Sequence, residues 1–183
     1  GIYITGKGNL IGGDVQGQRN VLGGNHGHGI FIDGASDNYV YGNFIGLGPD
    51  GDKDTGNLQA GIRLVNASNN VIGGIIPTWG NYITFNNSNR IAGLGGISLV
   101  SGSSGNLFQN NRIGADINGV ADSGNTRYGI HINNSDDNVI GGNEKGNTIV
   151  NNEYDGIAII NNSSAGNVIS QNSITGNGGL GID

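Results

Sequence analysis

The residues best suited to chemistry lie in two acidic loops of the chain. Asp50, Asp52 and Asp54 place three carboxylates at alternate positions, and oxygen-rich loops of this kind supply the ligands that Ca²⁺ prefers. A second loop of similar outline carries three more oxygen-bearing side chains, Asp116, Asn118 and Asp122. Neither loop has the order of an EF-hand or a closing bidentate Glu. The two loops therefore predict calcium sites, and the alternative interpretation is a pair of ion-free turns.

A second group of candidate residues alternates with isoleucine. Six tetrapeptides of the form Gly-Ile-x-Ile or Gly-Ile-x-Leu begin at Gly1, Gly29, Gly61, Gly96, Gly129 and Gly156. Period two predicts strands whose x residues point outward. These outward residues are Tyr3, Phe31, Arg63, Ser98, His131 and Ala158, and the next outward residues are Thr5, Asp33, Val65, Val100, Asn133 and Ile160.

Only Asp33 and Arg63 are charged on this strand face, and acid–base catalysis would need more groups than these. Aromatic residues can stack on sugar rings, and exposed apolar stripes mark interfaces. We predict that Tyr3, Phe31, Arg63 and the loop residue Trp79 contact carbohydrate or a partner. The alternative interpretation is that a polar loop covers the face and that Trp79 anchors its own loop.

The element that must position these residues is a repeated coil. Each tetrapeptide is followed by two Asn-x-apolar units, whose asparagines are Asn9/Asn20, Asn38/Asn43, Asn70/Asn81, Asn106/Asn111, Asn138/Asn147 and Asn167/Asn172. Three short strands in every 30 or so residues are typical of a parallel β-helix. The fold class is predicted to be all-β, with about six three-strand coils. We expect the asparagines to tolerate left-handed backbone geometry and to form amide ladders between coils.

A longer period of two coils is also present. Between the apolar residues of the second and third strands the spacings are 11, 5, 11, 5, 9 and 5 residues, so odd coils carry a loop where even coils carry a tight turn. Coils 2 and 4 have long excursions after the third strand, at residues 46–60 and 114–128. We expect the two excursions on one edge of the solenoid, about 10 Å apart.

Composition limits the class of protein further. The chain has 183 residues and 38 Gly, roughly three times the average glycine content, and we predict one β-helix domain over 1–183. A net charge of −6 disfavours nucleic acid as a partner, and no apolar run is long enough for membrane insertion. Because the chain begins and ends within repeat units, we expect a segment of a longer solenoid that associates end to end.

Runs such as Asn138-Val139-Ile140-Gly141-Gly142 resemble the right-handed parallel β-helix repeat proteins of the pectate-lyase-like superfamily. The resemblance covers the whole chain and is closest to Asn- and Gly-rich repeat segments of large bacterial surface proteins. It implies a right-handed solenoid, in agreement with crossover chirality, and a prokaryotic extracellular or cell-surface location. The superfamily includes lyases, epimerases, hydrolases and inert stalks, so the resemblance implies a fold more than an activity.

These observations favour a non-catalytic structural or adhesive repeat segment of a surface protein or filament, with no required cofactor. One alternative is a fragment or homologue of a polysaccharide-acting enzyme, most like a polysaccharide lyase, and another is a glycan-binding module. The expected partners are neighbouring β-helix coils or a second copy, and polysaccharide.

Overall fold

Short strands recur in groups of three throughout this computed structural model, which describes residues 1–119, 123–161 and 163–183. In chain order the strands are β1 (Ile2–Ile4), β2 (Leu10–Gly12), β3 (Val21–Leu22), β4 (Ile30–Asp33), β5 (Tyr39–Tyr41), β6 (Phe44–Ile45), β7 (Ile62–Val65), β8 (Val71–Gly73), β9 (Tyr82–Ile83), β10 (Gly95–Val100), β11 (Leu107–Gln109), β12 (Arg112–Ile113), β13 (Tyr128–Asn133), β14 (Val139–Gly141), β15 (Thr148–Val150), β16 (Ile157–Ile160), β17 (Val168–Ser170) and β18 (Ser173–Thr175). Two 3-10 helices, Gln16–Gln18 and Pro77–Trp79, lie in loops.

The strands form three parallel sheets of six strands each. Sheet A contains every first strand of a coil, from β1 to β16; sheet B every second strand, from β2 to β17; and sheet C every third strand, from β3 to β18. Each strand pairs with the equivalent strand of the next coil. The prediction of an all-β parallel solenoid with three strands per coil is confirmed.

Apolar side chains stack in columns along the inside of the solenoid. Sheet B contributes the column Ile11, Val40, Ile72, Phe108, Ile140 and Ile169, and sheet C contributes Leu22, Ile45, Ile83, Ile113, Ile149 and Ile174. The two isoleucine or leucine positions of each sheet A strand complete the core. Each fully buried side chain of this size stabilises the fold by about 1.5–3 kcal/mol, so the columns are the main force that holds coil to coil.

Three asparagine ladders run along the corners of the solenoid. The first two contain the twelve predicted asparagines, and in coils 1 to 5 each amide donates to the Oδ1 atom of the ladder asparagine in the next coil. A third ladder, which the sequence analysis missed, links Asn25, Asn57, Asn86, Asn125, Asn152 and Asn177. Its signal was available, because all of these except Asn86 lie four residues before the Gly of the next Gly-Ile pair.

In the first ladder, the left-handed backbone geometry expected of the asparagines belongs to the residues before them. All six residues preceding the first ladder have positive φ: Gly8, Asp37, Asn69, Gly105, Asp137 and Gly166. The ladder asparagines themselves do not. The expectation was wrong because the left-handed residue makes the turn, which frees the following amide to point along the stack.

The two-coil period is also seen in the positions of glycines at the ends of the sheet B and sheet C strands. In odd coils the strands of sheet B end on glycines with φ of 81–93°, Gly12, Gly73 and Gly141, whereas in coils 2 and 4 glycines with φ of 91–92° follow the strands of sheet C, at Gly46 and Gly114. A Cβ atom at Gly46 would lie 1.8 Å from the carbonyl oxygen of Thr84 in the next coil. Only glycine permits both the φ angle and this close approach.

Candidate functional site

The outer face of sheet A has the predicted order of side chains. Tyr3, Phe31, Arg63, Ser98, His131 and Ala158 occupy successive register positions. The second outward column likewise runs through Asp33, Val65, Val100, Asn133 and Ile160. The period-two pattern therefore located this face correctly, although it did not show which parts are open to solvent.

Two aromatic side chains, one from each of the first two coils, lie next to each other on this face. Tyr3 is 62% exposed, and its ring centroid lies 5.2 Å from that of Phe31. The Tyr3 hydroxyl donates a 2.8 Å hydrogen bond to Oδ2 of Asp33, and this bond raises the pKa of Tyr3. Asp33 is therefore engaged by the aromatic residue of the coil before it and forms no ion pair with Arg63.

Arg63 lies half-buried at the centre of the face. The ion pairs within the described residues are Lys53–Asp50 and Arg90–Glu153, so the guanidinium of Arg63 is left without a carboxylate. Burial lowers its pKa. An unpaired, partly desolvated guanidinium favours an anionic group as a ligand.

A loop at residues 87–94, here called the covering loop, covers the part of the face that coils 4 and 5 form. The Ser98 hydroxyl donates a 2.9 Å hydrogen bond to the carbonyl oxygen of Gly93, and a Cβ atom at Gly93 would lie 3.3 Å from the His131 ring. Leu94, the last residue of the loop, is buried. Ser98 and His131 are consequently buried, although their strands point them outward.

The positive charge of Arg63 acts on two histidines, His28 and His131. The pKa values of His28 and His131 are lowered to about 4, chiefly by burial and secondarily by the charge of Arg63. Their Nδ1 atoms are buried and have no hydrogen-bond partner among the described residues. Both rings are neutral at neutral pH and far from the pKa near 7 that suits general acid–base catalysis. The part of the sheet A face around Arg63 therefore offers a fixed positive charge and little capacity for proton transfer.

The first acidic loop is a small hairpin on the excursion of coil 2. Leu47 bridges Asp54 in antiparallel fashion, and Asp54 Oδ1 accepts the Gly56 backbone N–H at 2.8 Å. Asp50 forms a 3.2 Å ion pair with Lys53, in which both side chains are highly exposed. Asp52 is exposed as well. Two of the three carboxylates are thus engaged within the loop itself.

The second acidic loop touches the first. The Ile117 N–H donates a 3.2 Å hydrogen bond to the carbonyl oxygen of Gly51, which confirms that the two excursions share one edge. Asp116 is buried, and its Oδ1 atom accepts the Asn118 N–H at 2.9 Å; Asp122 lies outside the described residues. Among those that are described, no group of three or more His, Asp or Glu residues is placed to hold a metal ion. The calcium sites stay a prediction.

Trp79 packs onto its own surroundings. Its ring stacks on Tyr41, with centroids 5.1 Å apart and planes 21° apart, and it lies against Gly74, where a Cβ atom would be 2.5 Å from the indole. The side chain is half-buried. Trp79 is therefore an anchor of the coil 3 loop that keeps part of its ring at the surface.

A cavity of about 570 Å³ on the outer face of sheet C was missed by the sequence analysis. Its lining includes Arg19, Tyr82 and Arg112. Tyr82 and Arg112 are the middle residues of two Asn-x-apolar units, so the period-two argument used for sheet A would have shown them as outward-facing. The position of Arg19 over this face depends on how the coil 1 loop folds.

Comparison with known proteins finds no protein family that matches the chain and no matching curated protein. Within the part of the chain that the structure describes, no helix has the length and apolar character needed to cross a membrane. The function has to be inferred from the residues of the chain itself.

Proposed function

We propose that the chain is a non-catalytic structural and adhesive repeat segment of an extracellular or cell-surface protein or filament. In this proposal it is related to the Asn- and Gly-rich repeats of the pectate-lyase-like superfamily. The observation that carries the proposal is that the same contacts continue from coil to coil along the whole solenoid. The three asparagine ladders link all six coils, and the apolar columns of sheets B and C are filled in every coil.

Continuity of this kind suits a spacer. Each coil contacts its neighbours through the same bonds, so that stability accumulates along one axis and added coils lengthen the rod without changing its cross-section. Successive strands of a sheet are about 4.8 Å apart. A repeat segment built in this way holds whatever it carries at a defined distance.

The chemistry of the sheet A face supports a role without catalysis. The two buried histidines have pKa values of about 4, which makes them weak bases at neutral pH. Asp33, the one carboxylate in the two outward columns, accepts a hydrogen bond from Tyr3. Arg63 would hold an anion in place, and its charge adds to the burial that lowers the pKa of both histidines.

The proposal is tested by a turnover screen on acidic and neutral polysaccharides. We expect neither the ultraviolet absorbance of an unsaturated sugar nor new reducing ends, even after long incubation, whereas a polysaccharide lyase run in parallel produces both signals. Product that forms with the wild-type chain and disappears with Arg63→Gln would overturn the non-catalytic proposal in favour of an enzyme.

A further inference from the structure

The cavity on sheet C is an open groove with a floor and two rims. Its floor is the part of the outward column of sheet C in which Tyr82, Arg112 and Thr148 follow one another in register. Loops of coils 1, 3 and 5 form one rim, because they enter the sheet at its amino edge. Ile117, from the second excursion, lies at the opposite edge. The two-coil alternation of loops therefore builds the groove, and its volume of about 570 Å³ is in the range of ligand sites.

Arg19 is held in a fixed position at one end of the groove. Its guanidinium carbon lies 3.8 Å from the centroid of the Phe44 ring, and its Nε atom donates a 2.9 Å hydrogen bond to the carbonyl oxygen of Gly42. These two contacts orient the guanidinium plane. Its two terminal nitrogens make no hydrogen bond to the described residues, so they are available to a ligand.

A second arginine, Arg112, lies near an aromatic ring further along the groove. Its guanidinium carbon lies 5.3 Å from the centroid of the Tyr82 ring, and the Tyr82 and Phe44 rings meet edge to face with centroids 5.3 Å apart. The order of these side chains along the groove is Arg19, Tyr82 and Arg112, and the buried Phe44 ring lies beneath Arg19. Neither arginine belongs to an ion pair within the described residues.

The residues that line the groove carry a net positive charge, whereas the whole chain carries a net negative charge. The protein has 14 acidic and 8 basic residues, for a net charge of −6, yet the charged residues that line the groove are Asp14, Arg19 and Arg112. The net charge of the whole chain disfavoured an anionic partner such as nucleic acid. The local excess of positive charge, with free guanidinium nitrogens, points to an anion instead.

We propose that this groove binds an anionic polysaccharide, with acidic groups of the polymer at Arg19 and Arg112 and a sugar ring against Tyr82. Guanidinium groups bind carboxylates and sulfates through paired hydrogen bonds, and an aromatic ring provides a flat apolar surface for a pyranose. The hydroxyls of Thr78 and Thr148 lie in the same lining and can bond to sugar hydroxyls. This proposal rests on the adhesive part of the proposed function and specifies its ligand.

The groove fits a glycan better than a peptide. A peptide that adds to a sheet needs a free strand edge, but β6, β9, β12 and β15 are each paired on both sides. The lining formed by the described residues contains four glycines, two threonines and Asn110, and its only aliphatic residues are Val15, Pro77 and Ile117. Hydroxyl and amide groups beside an aromatic ring match the hydroxylated surface of a sugar chain.

The test uses the only tryptophan of the chain as a reporter, because Trp79 belongs to the loop whose residues 77, 78 and 80 line the groove. Fluorescence titrations compare polygalacturonate, dextran sulfate, neutral dextran and poly-glutamate at two salt concentrations. We expect wild type to bind an acidic glycan, more weakly at high salt, and Arg19→Gln and Arg112→Gln each to lose about tenfold in affinity or more, as removal of a charge-assisted pair predicts.

The matched control is Lys7→Gln, which makes the same change in net charge at an exposed residue outside the groove. We expect it to bind like wild type. Polygalacturonate and dextran sulfate distinguish a carboxylate ligand from a sulfate ligand. The proposal fails if wild type binds neither polymer, if Lys7→Gln loses as much affinity as the groove variants, or if poly-glutamate binds more tightly than every glycan. Absence of binding would leave the structural role intact, whereas cleavage of the polymer in the same mixture would contradict the non-catalytic role instead.

Discussion

At the scale of single residues, a ladder asparagine bonds in both directions along the solenoid. Asn111 is fully buried, and its Nδ2 group donates to the Ile72 carbonyl at 2.8 Å and to Asn147 Oδ1 at 2.9 Å. Its Oδ1 atom accepts the side-chain and backbone N–H groups of Asn81. One side chain thus satisfies polar groups of the coils on both sides, which no apolar residue of the same size can do.

We therefore expect Asn111→Ala to destabilise the chain by about 3 kcal/mol or more, because each buried group left without a partner costs about 1–3 kcal/mol. Asn20 is in the first coil of the same ladder, is only half-buried and receives no bond from a preceding coil. Asn20→Ala should cost about 1 kcal/mol. Urea unfolding followed by circular dichroism measures both values, and equal losses would contradict the structural importance of the interior ladder.

At the scale of elements, the covering loop depends on one buried asparagine. The Nδ2 group of Asn87 donates to the carbonyl oxygens of Ile91, Leu94 and Thr126 at 3.1–3.3 Å, and its Oδ1 atom accepts the Ile91 N–H at 3.0 Å. The loop is also tied to coil 5 by the Arg90–Glu153 ion pair. The loop therefore shields His131 only as long as these bonds hold it.

Asn87→Ala should release the covering loop and raise the pKa of His131 from about 4 towards its ordinary value of about 6.5. In the wild-type chain, burial is the main reason why the charged form of the ring is disfavoured. Release of the loop would rehydrate the ring and remove this cause. An NMR titration of the histidine ring protons measures the shift. Asn89→Ala, in the same loop but exposed and with no side-chain hydrogen bond to the described residues, should leave the pKa unchanged; a shift of equal size in this control would contradict the mechanism.

The sign of the accompanying pH effect follows from the same values. The pKa of His131 in the folded state, about 4, is below the ordinary value, so the unfolded chain takes up the proton first as the pH falls. The contribution of this residue to stability is complete above pH ~6.5 and is lost between pH ~6.5 and ~4. Asn87→Ala should make this part of the acid sensitivity smaller.

At the scale of the whole molecule, the ladders give the solenoid a direction. In the first ladder the Nδ2 groups of coils 1 to 5 donate towards the next coil, and the Oδ1 atoms of coils 2 to 6 accept from the coil before. In coil 1 the Asn9 Oδ1 atom accepts no ladder bond, and in coil 6 the Nδ2 group of Asn167 donates only to the Ser135 carbonyl. The two outermost coils are therefore complementary, with a free acceptor at one and a free donor at the other.

We expect the 183-residue chain to associate head to tail, because such an interface is heterologous and continues both ladder and core. Sedimentation velocity should show larger species as the protein concentration rises. Asn167→Asp should weaken the association by placing a carboxylate against an acceptor oxygen, while Asn134→Asp, at an exposed residue outside the ladders, adds the same charge without effect. A strictly monomeric wild type at high concentration would contradict this prediction.

The sequence by itself determined the coil, its three strands and the columns of its core. Stacked coils repeat one environment, so spacing between Gly-Ile pairs and asparagines translates directly into register, as the order from Tyr3 to Ala158 shows. Most of the third ladder was within reach of the same argument, but the insertion before Gly96 displaced Asn86 from the common spacing.

Only the tertiary structure decided which outward residues meet and which are open. Loops of different lengths are not periodic, and their paths depend on contacts with other coils that spacing does not encode. The covering loop buries His131 while Tyr3 stays exposed on the same face, and the coil 1 loop brings Arg19 over Phe44. The repeat specifies the scaffold, but the interruptions of the repeat place charge and aromatic rings where a ligand can bind.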